Sequence, residues 1–110
     1  DDGPSCLTEK YLDILESEGV KATFFVIGQQ INGEEQTIKR EISQGHEIGV
    51  HTYCHEADRI YCNCDTYYKD VIKVKNILKT SMENAIKLKV PLRADVSEAY
   101  NWYIKKTVWL

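Results

Sequence analysis

The chain has 110 residues, of which 43% are hydrophobic and 28% charged, and its 14 basic and 17 acidic side chains give a formal net charge of -3. This length corresponds to one domain at most and is too short for a complete eight-unit barrel of about 250 residues. The chain is mildly acidic and has no cluster of basic residues among aromatic ones, so we expect no nucleic-acid partner. The longest apolar run, residues 22–27, is far shorter than the roughly 20 residues of a membrane span, so we expect no span.

The first predicted element is a helix over about residues 7–18. Four apolar residues share one face of it: Leu7, Tyr11, Ile14 and Leu15. This spacing is typical of an amphipathic helix. Gly19 follows at a position where a left-handed conformation can end the helix.

Two predicted strands come next, separated by a helix. Residues 22–27 (ATFFVI) are short, aromatic and β-branched, which predicts a strand buried on both faces, as in a parallel sheet. A polar helix follows over about residues 34–44 and is closed by Gly45. Residues 47–50 (EIGV) then form a second short strand.

A third helix follows the second strand, with Asp65 or Thr66 as its predicted N-cap. Its apolar face is formed by Tyr67, Val71, Val74 and Leu78. The order helix, strand, helix, strand, helix is a repeated βα unit, in which right-handed crossovers make the strands parallel. The predicted fold class is therefore α/β with a parallel sheet.

Polar residues flank these elements where the strands should end. Residues 1–4 (DDGP) precede the first helix, and residues 51–55 (HTYCH) follow the second strand. Because ligand-binding residues gather at the carboxyl ends of parallel strands, we expect both clusters at one edge of the sheet. One carboxylate and two imidazoles can hold a divalent metal with open positions for water and substrate, and a second carboxylate is then available as a base.

Each cluster also has a simpler interpretation. Taken alone, the residues DDGP are typical of a solvated turn, and the spacing His51 to His55 also occurs in polar loops without a metal. We interpret the third histidine, His46, as a surface or supporting residue with no ligand role. The two clusters favour a metal site only because both are predicted to lie at the same edge of the sheet.

Three stretches together resemble the polysaccharide deacetylase family, also called the NodB-homology or carbohydrate esterase family four domain. They are residues 1–4, 19–28 (GVKATFFVIG) and 45–55 (GHEIGVHTYCH). The resemblance covers residues 1–79 and implies a truncated, partial form of a distorted (β/α) barrel. It also implies a divalent metal, zinc in most members and cobalt or nickel in others. The implied activity removes N- or O-acetyl groups from polysaccharides such as peptidoglycan or chitin, and the implied location is extracellular or in the cell envelope.

The resemblance assigns roles to individual residues. Asp1 matches the catalytic base, and Asp2, His51 and His55 match the three metal ligands. Thr52 matches a Ser/Thr position whose hydroxyl supports the loop that carries the two histidines. The implied chemistry is metal-assisted attack of water on the acetyl group, with Asp1 accepting the proton.

The sequence departs from the family pattern after Lys79. We therefore predict an N-terminal deacetylase part, residues 1–79, and a divergent tail, residues 80–110. Arg93 keeps only the arginine of the family's third motif, and by resemblance it would pair with the base Asp1. The histidine that acts as general acid in the family has no counterpart here. We expect a fragment with a marginal fold, in which metal binding can persist without catalysis.

A different class of function uses the cysteines. His51, His55, Cys62 and Cys64, with Cys54 nearby, could form a non-catalytic structural zinc or redox module, although Cys-x-Cys is tighter than the usual zinc spacing. Simple packing of the cysteines, or a local bridge between them, is a third possibility. A remnant that binds metal and glycan without turnover is a fourth.

Overall fold

The computed structural model describes residues 1–85 of the chain. Its elements in chain order are α1 Thr8–Ser17, β1 Thr23–Ile27, a 3-10 turn Gly28–Gln30, α2 Glu35–Ser43, β2 Glu47–Thr52, α3 Ala57–Ile60 and α4 Cys64–Ala85. The five predicted elements are all present, and the two that the sequence pattern missed are the short 3-10 turn and α3. Among these elements, no helix combines the length and the apolar character needed to cross a bilayer.

The two strands are parallel neighbours, which confirms the predicted sheet. Val26 of β1 lies opposite Val50 of β2. Gly3 forms an isolated parallel bridge to Val26, and its carbonyl accepts the Ile27 N–H at 2.8 Å. Because β2 occupies one edge of β1 at Val26, the N-terminal segment lies along the other edge. The residues that follow the ends of β1 and β2 therefore gather near residues 1–4.

Glycine ends both α1 and α2 as predicted. Gly19 and Gly45 have φ values of +65° and +82°, a left-handed backbone that a Cβ would disfavour. At the end of α2 the Gly45 N–H donates to the Ile42 carbonyl at 2.9 Å, and the His46 N–H donates to the Glu41 carbonyl at 3.0 Å. This pair of bonds is a Schellman motif, which satisfies the last carbonyls of the helix and turns the chain into β2.

The hydrophobic core lies where α2 and α4 pack against the sheet. Its buried members are Val26, Ile31, Ile38, Val74, Leu78 and Met82. Val74 and Leu78 confirm the carboxyl-terminal part of the predicted face of α4, whereas Tyr67, nearer its start, is 42% exposed. Burial also increases along β1, from exposed Thr23 to buried Val26, so the prediction of a strand buried on both faces holds only for its carboxyl end. That end is the part flanked by both β2 and the Gly3 segment.

The predicted apolar face of α1 is wrong. About half of each of three of its side chains is exposed: Leu7, Tyr11 and Ile14. The helix buries Thr8 and Leu12 instead. Arg40 of α2 pairs with an acidic row on α1, which consists of Glu9, Asp13 and Glu16. The acidic row therefore faces α2. Leu12 beside it is buried, whereas Leu7, Tyr11 and Ile14, which lie farther around the helix, are exposed.

The predicted N-cap of α4 is also wrong. The helix begins at Cys64, and the preceding residue, Asn63, accepts the Thr66 N–H on its side-chain oxygen at 2.9 Å. Asn is as good a capping residue as Asp, and the bond to the third residue of the helix is the usual one. Asp65 and Thr66 are therefore inside the first turn.

Candidate metal centre

Asp2, His51 and His55 form one cluster at the carboxyl end of the strands. Each offers a ligand atom, and the three atoms lie within 4.8 Å of one another. Asp2 Oδ1 is 3.0 Å from His51 Nε2 and 3.4 Å from His55 Nε2. The side chains are 57%, 32% and 52% exposed, respectively, so the cluster is open to solvent. Within residues 1–85 no other group of three His, Cys, Asp or Glu side chains comes together in this way.

The spacing of the donor atoms suits a divalent cation. Two ligands about 2.05 Å from a tetrahedral zinc ion are roughly 3.3 Å apart, close to the two separations measured from Asp2 Oδ1. The donor set, one carboxylate oxygen and two imidazole nitrogens, is suited to zinc, cobalt and nickel. Three protein ligands leave at least one coordination position for water or substrate, as in catalytic rather than structural sites.

The N-terminal segment holds Asp2 by its backbone. With its amide oriented so that the nitrogen faces these groups, Gln30 donates to the carbonyls of Asp2 and Pro4 at 2.9 and 2.7 Å. The Gly3 carbonyl accepts the Ile27 N–H. These bonds use carbonyl groups, which leaves the Asp2 carboxylate directed at the histidines. Asp2 has a φ of +67°, and such left-handed residues are concentrated at functional sites.

An irregularity in β2 places His51. Val26 pairs with Val50, but the next residue of β1, Ile27, pairs with Thr52. His51 is thus the extra residue in β2 at this point. A bulge of this kind redirects a side chain relative to the regular alternation of a strand and is common beside active sites.

A tight turn returns the chain so that His55 lies beside His51. The His55 N–H donates to the Thr52 hydroxyl at 3.0 Å, and Thr52 is only 3% exposed. His55 has a φ of +57°, and the two imidazole rings are 5.0 Å apart. The expectation that Thr52 supports the ligand loop is confirmed by this bond.

Two residues that the sequence patterns did not indicate, Asp70 and Gln29, bind the same loop. Asp70 Oδ1 accepts the Tyr53 N–H at 2.6 Å, and the Tyr53 carbonyl accepts the Gln29 N–H at 3.0 Å. The sequence did contain a signal for Asp70. It stands one turn before Val74 in the row that continues to Leu78, where an apolar residue is usual.

The other predicted site residues lie apart from the cluster or outside the described part. Asp1 is exposed beside Asp2 and is not among the three clustered residues, and its role as base stays a prediction. Arg93 lies outside the described residues, as does most of the predicted tail. The boundary after Lys79 also stays a prediction, and α4 continues past it to Ala85.

The structure does not favour the cysteine-based zinc module. All four cysteines are free thiols, and neither Cys62 nor Cys64 belongs to the histidine cluster. Cys62 Sγ instead lies 3.5 Å from the Thr66 hydroxyl. The helix α3 separates the histidine loop from these two exposed cysteines, which explains why a short sequence separation does not bring them together.

His46 lies at the opposite end of β2 and is buried, at 6% exposure. The alternative of a surface residue is therefore wrong. Its Nδ1 accepts the Ala22 N–H at 3.1 Å, and its ring packs edge-on against Phe24. Burial, and secondarily the charge of Lys21, lowers the pKa of His46, so it accepts this bond as a neutral imidazole.

Comparison with known proteins decides the family. The family profile described as polysaccharide deacetylase matches residues 1–107. The chain belongs to the polysaccharide deacetylase family. It is 42% identical over 79 residues to a peptidoglycan-N-acetylglucosamine deacetylase of Bacillus cereus, covering 71% of this chain and 28% of that protein.

Solved structures of this polysaccharide deacetylase family confirm the α/β class and the expected part of a distorted barrel. A CE4 esterase of Streptococcus mutans superposes with a TM-score of 0.73 at 32% identity, over 74% of this chain and 37% of the other. A family 4 acetyl xylan esterase of Clostridium thermocellum, solved in complex with a cobalt ion, gives 0.68 at 34% identity, over 74% and 40%. The chain therefore spans well under half the length of these relatives.

Proposed function

We propose that this chain forms the metal-binding part of a deacetylase that hydrolyses acetyl groups on a polysaccharide such as peptidoglycan or chitin. The observation that carries the proposal is the convergence of Asp2, His51 and His55 within 4.8 Å in a member of this family. The names of relatives support the substrate class, because they include a peptidoglycan-N-acetylglucosamine deacetylase and a chitin deacetylase. Such substrates favour an extracellular or cell-envelope location.

Asp2, His51 and His55 would hold the metal. A bound divalent cation supplies Lewis acidity, which polarises an acetyl carbonyl and lowers the pKa of water. Asp2 contributes a negative charge, and each neutral histidine contributes the lone pair of its Nε2 atom. Zinc is the proposed ion, with cobalt or nickel as substitutes, because all three accept mixed nitrogen and oxygen ligands.

Asp1 is proposed to act as the general base. Hydrolysis joins a water oxygen to the acetyl carbon and breaks the C–N bond, releasing acetate and an amine. The carboxylate of Asp1, the neighbour of Asp2 in the chain, would accept the proton of that water. The exposure of Asp1, His55 and Asp2 leaves room for a polymer chain to approach this edge of the sheet.

Metal analysis of paired variants tests the proposal. The double substitution His51→Ala with His55→Ala is expected to abolish stoichiometric zinc or cobalt, whereas Cys62→Ser with Cys64→Ser should leave one ion per chain. Loss of metal in the cysteine variant alone would instead support the zinc module.

Acetate release from an N-acetylated chito-oligosaccharide, with zinc or cobalt added, tests the reaction itself. The comparison uses this chain and a longer polypeptide extended by its native flanking sequence. We expect acetate release that is lost in the His51→Ala variant. Stoichiometric metal without acetate release from either polypeptide would favour the non-catalytic remnant.

A further inference from the structure

Asp70 presents its carboxylate to the loop that carries both histidines. We define the ligand loop as residues 51–55. Asp70 Oδ1 accepts the Tyr53 N–H at 2.6 Å, and Oδ2 lies 3.8 Å from Cys54 Sγ. The carboxylate thus faces two consecutive residues at the centre of the loop, between His51 and His55.

The position of Asp70 in α4 is unusual for an acidic residue. It lies in the same helical row as buried Val74 and Leu78, and its own side chain is partly buried. Moving a carboxylate out of water is unfavourable unless hydrogen bonds replace the lost hydration. The Tyr53 N–H supplies such a bond, and bonds to ionised acceptors are stronger than bonds between neutral groups.

The ligand loop depends on a few contacts of this kind. The Tyr53 carbonyl accepts the Gln29 N–H, and Lys73 Nζ lies 3.3 Å above the centre of the Tyr53 ring. Gly28 packs so closely that an added Cβ would lie 2.7 Å from the Tyr53 ring. Among these contacts, Asp70 is the acceptor for the Tyr53 N–H, so its removal leaves that donor unpaired in a partly buried turn.

We infer that Asp70 is a positioning residue that sets the metal affinity of the site by fixing the ligand loop. The inference rests on the proposed metal binding by Asp2, His51 and His55. With the Tyr53 amide held, the two imidazoles stay 5.0 Å apart before a metal arrives. Without Asp70, ion binding must also order the ligand loop. Losing a partner that orients metal ligands typically reduces metal affinity 10- to 100-fold.

Cobalt titration of three variants tests this role, with the visible absorbance of bound Co²⁺ as the signal and a competing chelator to set the range. Asp70→Ala is expected to weaken Co²⁺ binding about 10- to 100-fold. Asp70→Asn keeps an oxygen that can accept the Tyr53 N–H, so most of the affinity should return. Asp65→Ala removes the same charge from an exposed position of α4 and should leave binding unchanged.

The outcomes separate this inference from the proposed function. If the unaltered chain binds no Co²⁺, the proposed function fails. If it binds Co²⁺ and Asp70→Ala binds equally well, the metal site stands and the positioning role is overturned. Should circular dichroism show that Asp70→Ala is unfolded, Asp70→Glu decides, because it keeps the charge but displaces the oxygens by one methylene. Reduced affinity then supports the role, and unchanged affinity overturns it.

Discussion

Glu41 should make the stability of this protein depend on pH in an unusual direction. The residue is completely buried in α2, and neither carboxylate oxygen has a hydrogen-bond partner among the described residues. Burial, and secondarily the negative charge of Glu9, raises the pKa of Glu41 from its ordinary value of 4.5 to about 7. The folded state therefore favours the protonated, neutral carboxyl group.

The sign and size of the effect follow from proton linkage. Between pH 4.5 and 7 the folded protein retains a proton that the unfolded chain has lost, so the free energy of unfolding falls as the pH rises through this window. Above pH 7 the carboxyl group is ionised in both states, and the loss stays constant. The difference between the two pKa values corresponds to about 3 kcal/mol.

The perturbation is Glu41→Met, which keeps the length of the side chain and removes the ionisable group. Urea unfolding followed by circular dichroism at pH 4.5 and pH 8 is expected to show that the variant gains about 3 kcal/mol relative to the unaltered protein at the higher pH. Glu18→Met, the same change at an exposed site, should alter the pH dependence little. Parallel pH profiles for the unaltered protein and Glu41→Met would refute the reasoning.

Two further predictions concern contacts between elements. Gln30→Glu replaces the donor that binds the Asp2 carbonyl with an acceptor, so Co²⁺ affinity should fall about tenfold in a titration, while Gln36→Glu at an exposed position should have no effect. Unchanged affinity in the first variant would show that the backbone of Asp2 is held by other means. Arg40→Ala removes the partner of the acidic row on α1, and its destabilisation in urea should shrink in 1 M NaCl because salt screens exposed charges. A loss of equal size at both salt concentrations would assign the effect to packing.

Local sequence patterns predicted the features that neighbouring residues in the chain determine, such as the ends of helices. Gly19 and Gly45 mark helix ends because only a residue without a Cβ adopts the left-handed backbone there easily. The face of α1 was predicted wrongly because it depends on how the helix packs against distant parts of the chain. Its acidic row faces Arg40, which lies 27 positions beyond Asp13. Helical periodicity describes which residues share a face, but it does not indicate which face packs against a neighbouring helix.

In the candidate site, too, some features could be predicted from the sequence and others depend on contacts between distant residues. The three clustered residues could be predicted because strand ends meet at one edge of a parallel sheet, which brings Asp2 to His51 across about 50 residues. Asp70 was missed because its partner is the backbone N–H of Tyr53, and any residue other than proline carries such a group. The burial of Glu41 likewise results from packing between helices and leaves no mark in the sequence of a polar helix.

The left-handed backbone of Asp2 and His55 places stability in conflict with the proposed metal binding. Each residue holds a conformation that is unfavourable by roughly 1 kcal/mol or more for a side chain with a Cβ and nearly free for glycine. A library randomised at these two positions and selected only for resistance to heat should therefore accumulate Gly, with Asn as the next choice. The same library selected on immobilised cobalt should retain Asp and His. Evolution of such a domain without selection for the proposed metal binding would thus be expected to replace Asp2 and His55 before it altered the core.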